Sequence, residues 1–146
     1  MMEKNYSPAE IVAKMLETDY FSQWLGIELI ETGPGHCVVR MEVRKEMLNG
    51  FGLLHGGVAF SMADSALAFA SNSHGKISVA LDNSISYPAA SRQGDILTAR
   101  TEELNLTNKT GLYLINITNQ HQKKIAVFKG TVYRTEKSLF DHTGSD

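Results

Sequence analysis

Between Met47 and Gly75 the chain carries a single Asp, Glu, Lys or Arg, namely Asp64. A lone carboxylate in so apolar a stretch is costly unless something pairs with it. Desolvation raises the pKa of such an acid, and hydrogen bonds to its ionised form lower it. An acid in this setting can serve as a general base or a nucleophile. The alternative is an Asp hydrogen-bonded to a neighbouring strand or loop. Upstream stands His55-Gly56-Gly57, placed where a helix begins. The first amides of a helix have no internal acceptor, and the helix dipole favours negative charge at that end. Glycine lets a substrate approach the backbone, so this end can stabilise an oxyanion developing from a carbonyl. The glycines can equally do no more than permit a tight turn into the helix.

Distance sharpens the reading. Asp64 lies eight residues after Gly56, which is roughly 12 Å along a helix at about 1.5 Å per residue. A base or nucleophile must come within about 3 Å of its target, or act through one water. One helix therefore cannot bring both groups to one carbonyl. If the two act together, Gly56 comes from one chain and Asp64 from another, and a two-fold dimer with two equivalent sites is expected.

The elements that must hold these groups follow from periodicity. Ser7-Pro8-Ala9-Glu10 has an N-cap Ser, a Pro at the first helical position and a Glu placed for a capping box. Ile11, Val12, Met15 and Leu16 then share one face, so a helix covering a sheet is expected, itself or in continuation reaching Trp24. After Gly33-Pro34-Gly35, the residues Cys37, Val39, Met41 and Val43 alternate with polar ones as in a half-buried strand. From Val58 to Asn72 the period is helical, with Ala59, Ala63, Ala66 and Ala70 on one stripe and apolar residues on the other faces. Such a helix is buried on most sides, and its alanines let a sheet come close. Ile77, Val79, Leu81, Ile85 and Tyr87 read as one face of a strand that stops before Pro88. Three further runs, near Asp95–Leu106, Gly111–Gln120 and Ile125–Arg134, are joined by short polar turns that favour antiparallel hairpins. The class is α+β: an antiparallel sheet of about five strands curled around one central helix.

Length and composition bound the rest. The 146 residues make one domain over 1–146, with loose ends at about 1–6 and 136–146. A net charge of −2 gives no bulk attraction to nucleic acid. The longest apolar runs fall short of the roughly 20 residues of a membrane span, and the opening MMEKNYSPAEIV does not read as a signal peptide. Cys37 is the sole cysteine and lies on the apolar face of its strand, so a buried structural thiol and a reducing, cytoplasmic setting are expected. The five histidines make no close metal-ligand pair, and no P-loop, dinucleotide fingerprint or G-x-S-x-G elbow is present. Neither a metal nor a cofactor is implied.

Asn49, His55-Gly56-Gly57 and Ala63-Asp64, at these spacings, resemble the hotdog-fold acyl-CoA thioesterases. Met47-Leu48-Asn49-Gly50, Ser61-Met62-Ala63-Asp64 and Ala70-Ser71-Asn72-Ser73 are similar to the phenylacetic-acid-degradation (PaaI-type) branch. The resemblance covers about residues 10–135. It implies a sheet wrapped around the central helix, dimers joined sheet edge to sheet edge, and further pairing of dimers into tetramers. It implies that Gly56 donates its N–H to the thioester carbonyl, that Asp64 of the facing subunit is nucleophile or base, that Asn49 places water or acid, and that His55 supports the loop or carbonyl. Gly57 stands beside this donor as a substrate-binding residue. The chain departs from relatives that place a hydroxyl near the reacting water: Ala80 and Ala68 stand at the matching positions, leaving Asn49, Asn83 or Ser73 to substitute. A basic rim for the CoA phosphates is sought among Arg92, Lys109, Lys123, Lys124 and Arg134, with Lys109 preferred. Phe51, Leu53, Leu54, Phe60 and Tyr87 are the candidate walls of an acyl pocket. The expected reaction is hydrolysis of an acyl-CoA, with phenylacetyl-CoA or a ring-hydroxylated relative preferred. A hotdog hydratase or dehydratase of acyl thioesters and a non-catalytic acyl-CoA-binding module are the alternatives.

Overall fold

Ser7 opens the first helix by a reciprocal cap. Its Oγ accepts from Glu10 N at 3.1 Å, and Glu10 Oε1 accepts from Ser7 N at 3.2 Å. The computed structural model describes residues 5–142. Helix α1 (Pro8–Thr18) buries Ile11 and Val12. It does not continue unbroken to Trp24. Asp19 turns the chain and caps a separate short helix, α2 (Tyr20–Leu25), which Gly26 ends at φ 77°, a conformation that glycine adopts without steric cost.

Six strands follow: β1 (Glu28–Gly33), β2 (His36–Glu42), β3 (Lys76–Ser86), β4 (Ile96–Leu106), β5 (Thr110–Thr118) and β6 (Lys124–Ser138), with the long helix α3 (Gly56–Asn72) between β2 and β3. They form one antiparallel sheet in the order β1-β2-β4-β5-β6-β3. The architecture is the α+β one expected, with six strands in place of about five. The added strand is β1. A register shift between Leu29 and Glu31 breaks its alternation, and Ile30 is half exposed, so a period of two is not visible there.

The expected single face of Ile77, Val79, Leu81, Ile85 and Tyr87 is also corrected. Register shifts between Lys76 and Ser78 and between Ala80 and Asp82 change which face the side chains take. Ile85 packs on the core, while Val79, Leu81 and Tyr87 are exposed. β3 is the last strand of the sheet, so its outer edge is unpaired within the chain. At the ends, Tyr6 stacks on Phe140 and β6 runs through Glu136 to Ser138, so these parts of the expected loose ends are packed or paired. Residues 1–4 and 143–146 of those ends lie outside the described residues.

The sheet curls around α3, which touches β2, β3, β4, β5 and β6. The alanine stripe makes this possible: Ala59, Ala63, Ala66 and Ala70 are all at most 1% exposed. Approach is close enough for Cys37 Sγ to donate to Ala66 O at 3.3 Å. Burial pushes the Cys37 thiol up to about 12, as befits a structural cysteine. Enlarging the stripe has a direct cost. Ala66→Leu should lower unfolding free energy by about 1–3 kcal/mol, because close-packed cores do not absorb added methylenes. Urea titration checks this, and an unchanged midpoint would count against tight helix–sheet contact.

Candidate active site

The entry to α3 is built by a loop that folds on Asn49. Its Oδ1 accepts from Phe51 N at 2.9 Å and Leu53 N at 3.2 Å. The loop is then tied down at both flanks: His55 N donates to Met47 O at 2.9 Å, and Leu54 N donates to Ser91 O at 2.8 Å. Ser91 belongs to a turn that Asp95 organises by accepting from Ser91 Oγ, Arg92 N and Gln120 Nε2. These bonds hold the Asp95 carboxyl below its ordinary pKa, Arg92 N foremost. Sequence reasoning did not single out this turn, although Ser91 and Asp95 at four residues' separation are a usual pairing in turns.

His55 is the N-cap of α3, and its Nδ1 accepts from Gly57 N at 2.9 Å. An accepting Nδ1 leaves the imidazole proton on Nε2. Val58 N turns back to His55 O at 3.0 Å. Gly57, expected as a substrate-binding residue, has its amide engaged within the chain. Among the described residues nothing accepts the N–H of Gly56. Gly56 is thus the helix-start amide left for an incoming oxygen.

Tyr87 lies against this glycine. Its hydroxyl donates to Gly56 O at 2.8 Å, and a Cβ on Gly56 would stand 3.1 Å from the Tyr87 Cζ and hydroxyl oxygen. Only glycine gives the ring this position without a shift. Asn49, Leu53, Leu54, Gly56, Tyr87 and Ile125 belong to the lining of an open cavity of about 440 Å³. Of the expected acyl walls, Leu53, Leu54 and Tyr87 take part. Phe51 points into solvent at 89% exposure, and Phe60 packs edge-on against Phe128 in the core.

Asp64 is exposed on α3, roughly 12 Å along the helix from Gly56 at the usual rise. Its side-chain partner is Asn83, whose Nδ2 donates to Asp64 Oδ1 at a long 3.4 Å. Of the three residues considered as substitutes for the missing hydroxyl, Asn83 is the one brought to the acid. Asn49 holds its loop, and Ser73 accepts from Gly35 N and donates to Ala70 O. Asn83 Oδ1 is buried and finds no donor. Gly130 on β6 stands opposite, where a Cβ would come within 2.7 Å of Leu67 Cδ2 and 2.9 Å of Asn83 Oδ1. Desolvation raises the pKa of Asp64, the Asn83 bond lowers it, and the charge of Asp19 raises it, with a net upward shift.

The basic residues do not converge within one chain. Arg92 precedes β4 beside the cavity, and Lys109 lies in the β4–β5 hairpin beyond the other end of that eleven-residue strand. The strand alone spans roughly 35 Å. Arg134 is tied to the same hairpin by its Nη1, which donates to Thr107 O at 2.6 Å. No group of three or more His, Cys, Asp or Glu among the described residues could hold a metal, and no described helix is long and apolar enough to cross a membrane.

Residues 51–126 match the thioesterase superfamily. The sequence is 44% identical over 125 residues to a putative esterase of Archaeoglobus fulgidus, covering 86% of this chain and 81% of that protein. It is 42% identical over 120 residues to the acyl-coenzyme A thioesterase PaaI of Escherichia coli, covering 82% and 86%. The solved structure of E. coli PaaI superposes with a TM-score of 0.88 and 38% identity, covering 90% of this chain and 95% of that one. A Streptococcus mutans structure bound to acetyl CoA superposes at 0.75 with 28% identity, covering 77% and 90%. The chain belongs to the thioesterase superfamily. It has the hotdog fold and is a thioester hydrolase, similar over most of its length to PaaI.

The raised pKa of Asp64 has a consequence for stability. A carboxyl whose pKa is higher folded than unfolded stabilises below its unfolded pKa, and that contribution is lost as pH rises through the folded value. At neutral pH the ionised Asp64 is therefore a destabilising group. Asp64→Asn should raise the thermal midpoint at pH 7, and this gain should shrink as the pH is lowered towards the unfolded value. Calorimetry at several pH values tests it, and a lower midpoint for the variant at pH 7 would contradict the reading.

Proposed function

We propose that the chain is an acyl-CoA thioesterase whose preferred substrate is phenylacetyl-CoA or a ring-hydroxylated relative. The observation that carries this reading is the free Gly56 amide at the head of α3, beside an open cavity of about 440 Å³ with apolar walls. In this reading the thioester carbonyl accepts from Gly56 N–H, and the acyl group lies among Leu53, Leu54 and Tyr87. The amide and the helix dipole stabilise the oxyanion that forms on attack. His55 keeps Gly57 N–H occupied and the helix entry fixed, so Gly56 is aimed alone. Asn49 places its remaining amide group towards the carbonyl or the water.

The attacking group comes from a second copy. Asp64 is too far along α3 to reach a carbonyl held by its own Gly56, so Asp64 of the facing subunit completes the site. The unpaired edge of β3, with Val79 and Leu81 exposed at 49% and 61%, supports an edge-to-edge dimer. Pairing of two dimers into a tetramer, a single domain over 1–146 and a cytoplasmic location complete the proposal. The chemistry balances on either of two routes. Asp64 can take a proton from water, whose hydroxide adds to the carbonyl before the thiolate leaves and is protonated. Alternatively its carboxylate attacks, forming a mixed anhydride and releasing CoA thiol, and water then cleaves the anhydride to the acid. Asn83 holds the carboxylate oriented in both routes. Arg92 and Lys109, at opposite ends of β4, serve CoA phosphates on different subunits of the assembly.

A thiol-release screen over aryl-acetyl, benzoyl, short and long aliphatic acyl-CoAs tests the reading. Aryl-acetyl substrates should give the highest kcat/KM, and a clear preference for long fatty acyl-CoA would overturn the substrate assignment. Asp64→Asn should lower kcat by about 10²- to 10⁴-fold, as loss of a general base does. A variant as fast as the wild type would remove Asp64 from the mechanism. Single turnover in oxygen-18 water separates the routes, since label entering Asp64 marks the anhydride. Conditions that part the dimer should abolish turnover.

A further inference from the structure

Asn49 and Gly50 form the sequence's one Asn-Gly pair, and the loop at the head of α3 holds that pair in a reactive arrangement. Asn49 Oδ1 accepts from Phe51 N at 2.9 Å and from Leu53 N at 3.2 Å. The bond to Phe51, two residues on, folds the carboxamide back over the intervening Asn49–Gly50 peptide, as in an Asx turn. The side-chain carbon Cγ is thereby turned towards Gly50 N. Two main-chain donors on Oδ1 also draw electron density from Cγ, the arrangement that stabilises an oxyanion when a nucleophile adds to a carbonyl. The nitrogen is equally prepared. Among the described residues nothing accepts the N–H of Gly50, and Gly50 is exposed. A Cβ there would meet nothing within 4 Å, so the approach is open. Asn49 Nδ2 likewise finds no acceptor among the described residues, and Asn49 borders the open cavity. Asn72 lacks this combination: the amide that follows it, Ser73 N, donates to Phe69 O at 3.1 Å.

We propose that Asn49 is a self-modification site, at which Gly50 N attacks Asn49 Cγ and the side-chain amide is lost as ammonia. The steps balance with water as the sole co-reactant. Gly50 N gives its proton to solvent and adds to Cγ, and the negative charge forms on Oδ1, facing Phe51 N and Leu53 N. Collapse of that oxyanion breaks the Cγ–Nδ2 bond, and Nδ2 leaves with a solvent proton as ammonia. Asn49 and Gly50 are then joined in a cyclic imide, which water opens at one carbonyl or the other. Opening at Cγ leaves an ordinary Asp. Opening at the main-chain carbonyl leaves Gly50 linked to the side-chain carboxyl, an isoaspartyl bond. Either product puts a carboxylate where the loop had a neutral amide, in the lining that Asn49 shares with Gly56. A negative charge there opposes the oxyanion that Gly56 N–H is proposed to stabilise. That consequence, though not the modification, rests on the reading of Asn49 and Gly56 as parts of the active site. The loop that leads to Gly56 thereby also limits the lifetime of the site.

The test incubates the folded chain in mildly alkaline buffer beside the same chain unfolded in urea, and follows position 49 by peptide mass and isoaspartate content. The folded chain should convert at least as fast as the unfolded one, with both Asp and isoaspartate as products. A folded chain that converts more slowly overturns the proposal, because the loop then protects Asn49. Asp without isoaspartate also overturns it, since direct hydrolysis of the side chain forms no imide. Gly50→Ala should slow conversion by about tenfold, as a Cβ crowds the nitrogen and removes glycine's backbone freedom. The open space at Gly50 and a backbone outside the left-handed region let this variant keep the loop. Conversion of folded Gly50→Ala at the wild-type rate overturns the attack by Gly50 N. Should that variant fail to fold, the comparison of folded with unfolded wild type decides alone. Turnover separates this inference from the proposed function. Asn49→Asp should lower kcat for phenylacetyl-CoA by about tenfold or more through its charge beside the oxyanion, and wild-type kcat should decline towards it as ammonia is released. A steady kcat through full conversion overturns the role of Asn49 in the reaction and spares the modification. A slow Asn49→Asp beside an unconverted wild type does the reverse.

Discussion

A single rigid rod carries both groups of the proposed site, and its pitch sets their separation. Backbone hydrogen bonding fixes the rise of α3, so no side-chain rearrangement brings Gly56 and Asp64 of one chain to the same atom. What the rest of the molecule does is hold that rod. Small residues face β2 and its neighbours so that the sheet can close around it, and the sheet in turn denies α3 any freedom to tilt. The fold is thereby a device for presenting two fixed points at a fixed spacing, and the proposed assembly supplies the complementary pair.

The two points are prepared differently. At the head of the helix every neighbouring amide is occupied and one is left over. His55 takes Gly57, the turn back from Val58 takes the His55 carbonyl, and Tyr87 binds Gly56 O, the carbonyl of the next peptide unit, whose N–H is that of Gly57. Occupation of the neighbours is what makes the remaining donor specific. At Asp64 the arrangement is one of scarcity. Among the described residues its side-chain donor is Asn83, at the long limit of a hydrogen bond, and the charge that acts on it is that of another acid, Asp19. A carboxylate so poorly compensated keeps its basicity.

Much of this was legible in the sequence, and the reason is periodicity. The capping box at Ser7 and the alanine stripe of α3 carry a short local code and a regular repeat, and the structure has both, while β2 (His36–Glu42) alternates only from Val39 onward because Val38 is buried as well. What was not legible involves broken repeats or distant partners. β1 and β3 contain register shifts, so a period of two fails to mark β1 and misplaces Val79 and Leu81. The contact of Tyr87 with Gly56 spans 31 residues and that of Asn83 with Asp64 spans 19, and no local pattern encodes either. Tyr87 reads in the sequence as a candidate pocket wall and Asn83 as a candidate partner of the reacting water, and the fold alone supplies their partners Gly56 and Asp64.

Gly130 shows where such distant control ends. It has no functional group, it lies on β6, and it touches neither the cavity nor the acid. Yet the space it leaves empty is what allows Asn83 to sit as deep as it does behind Asp64. A side chain at this glycine would press on Leu67 and Asn83, and so disturb the setting of Asp64 without touching it. The site's outer limit is thus a missing side chain on the strand next to Asn83.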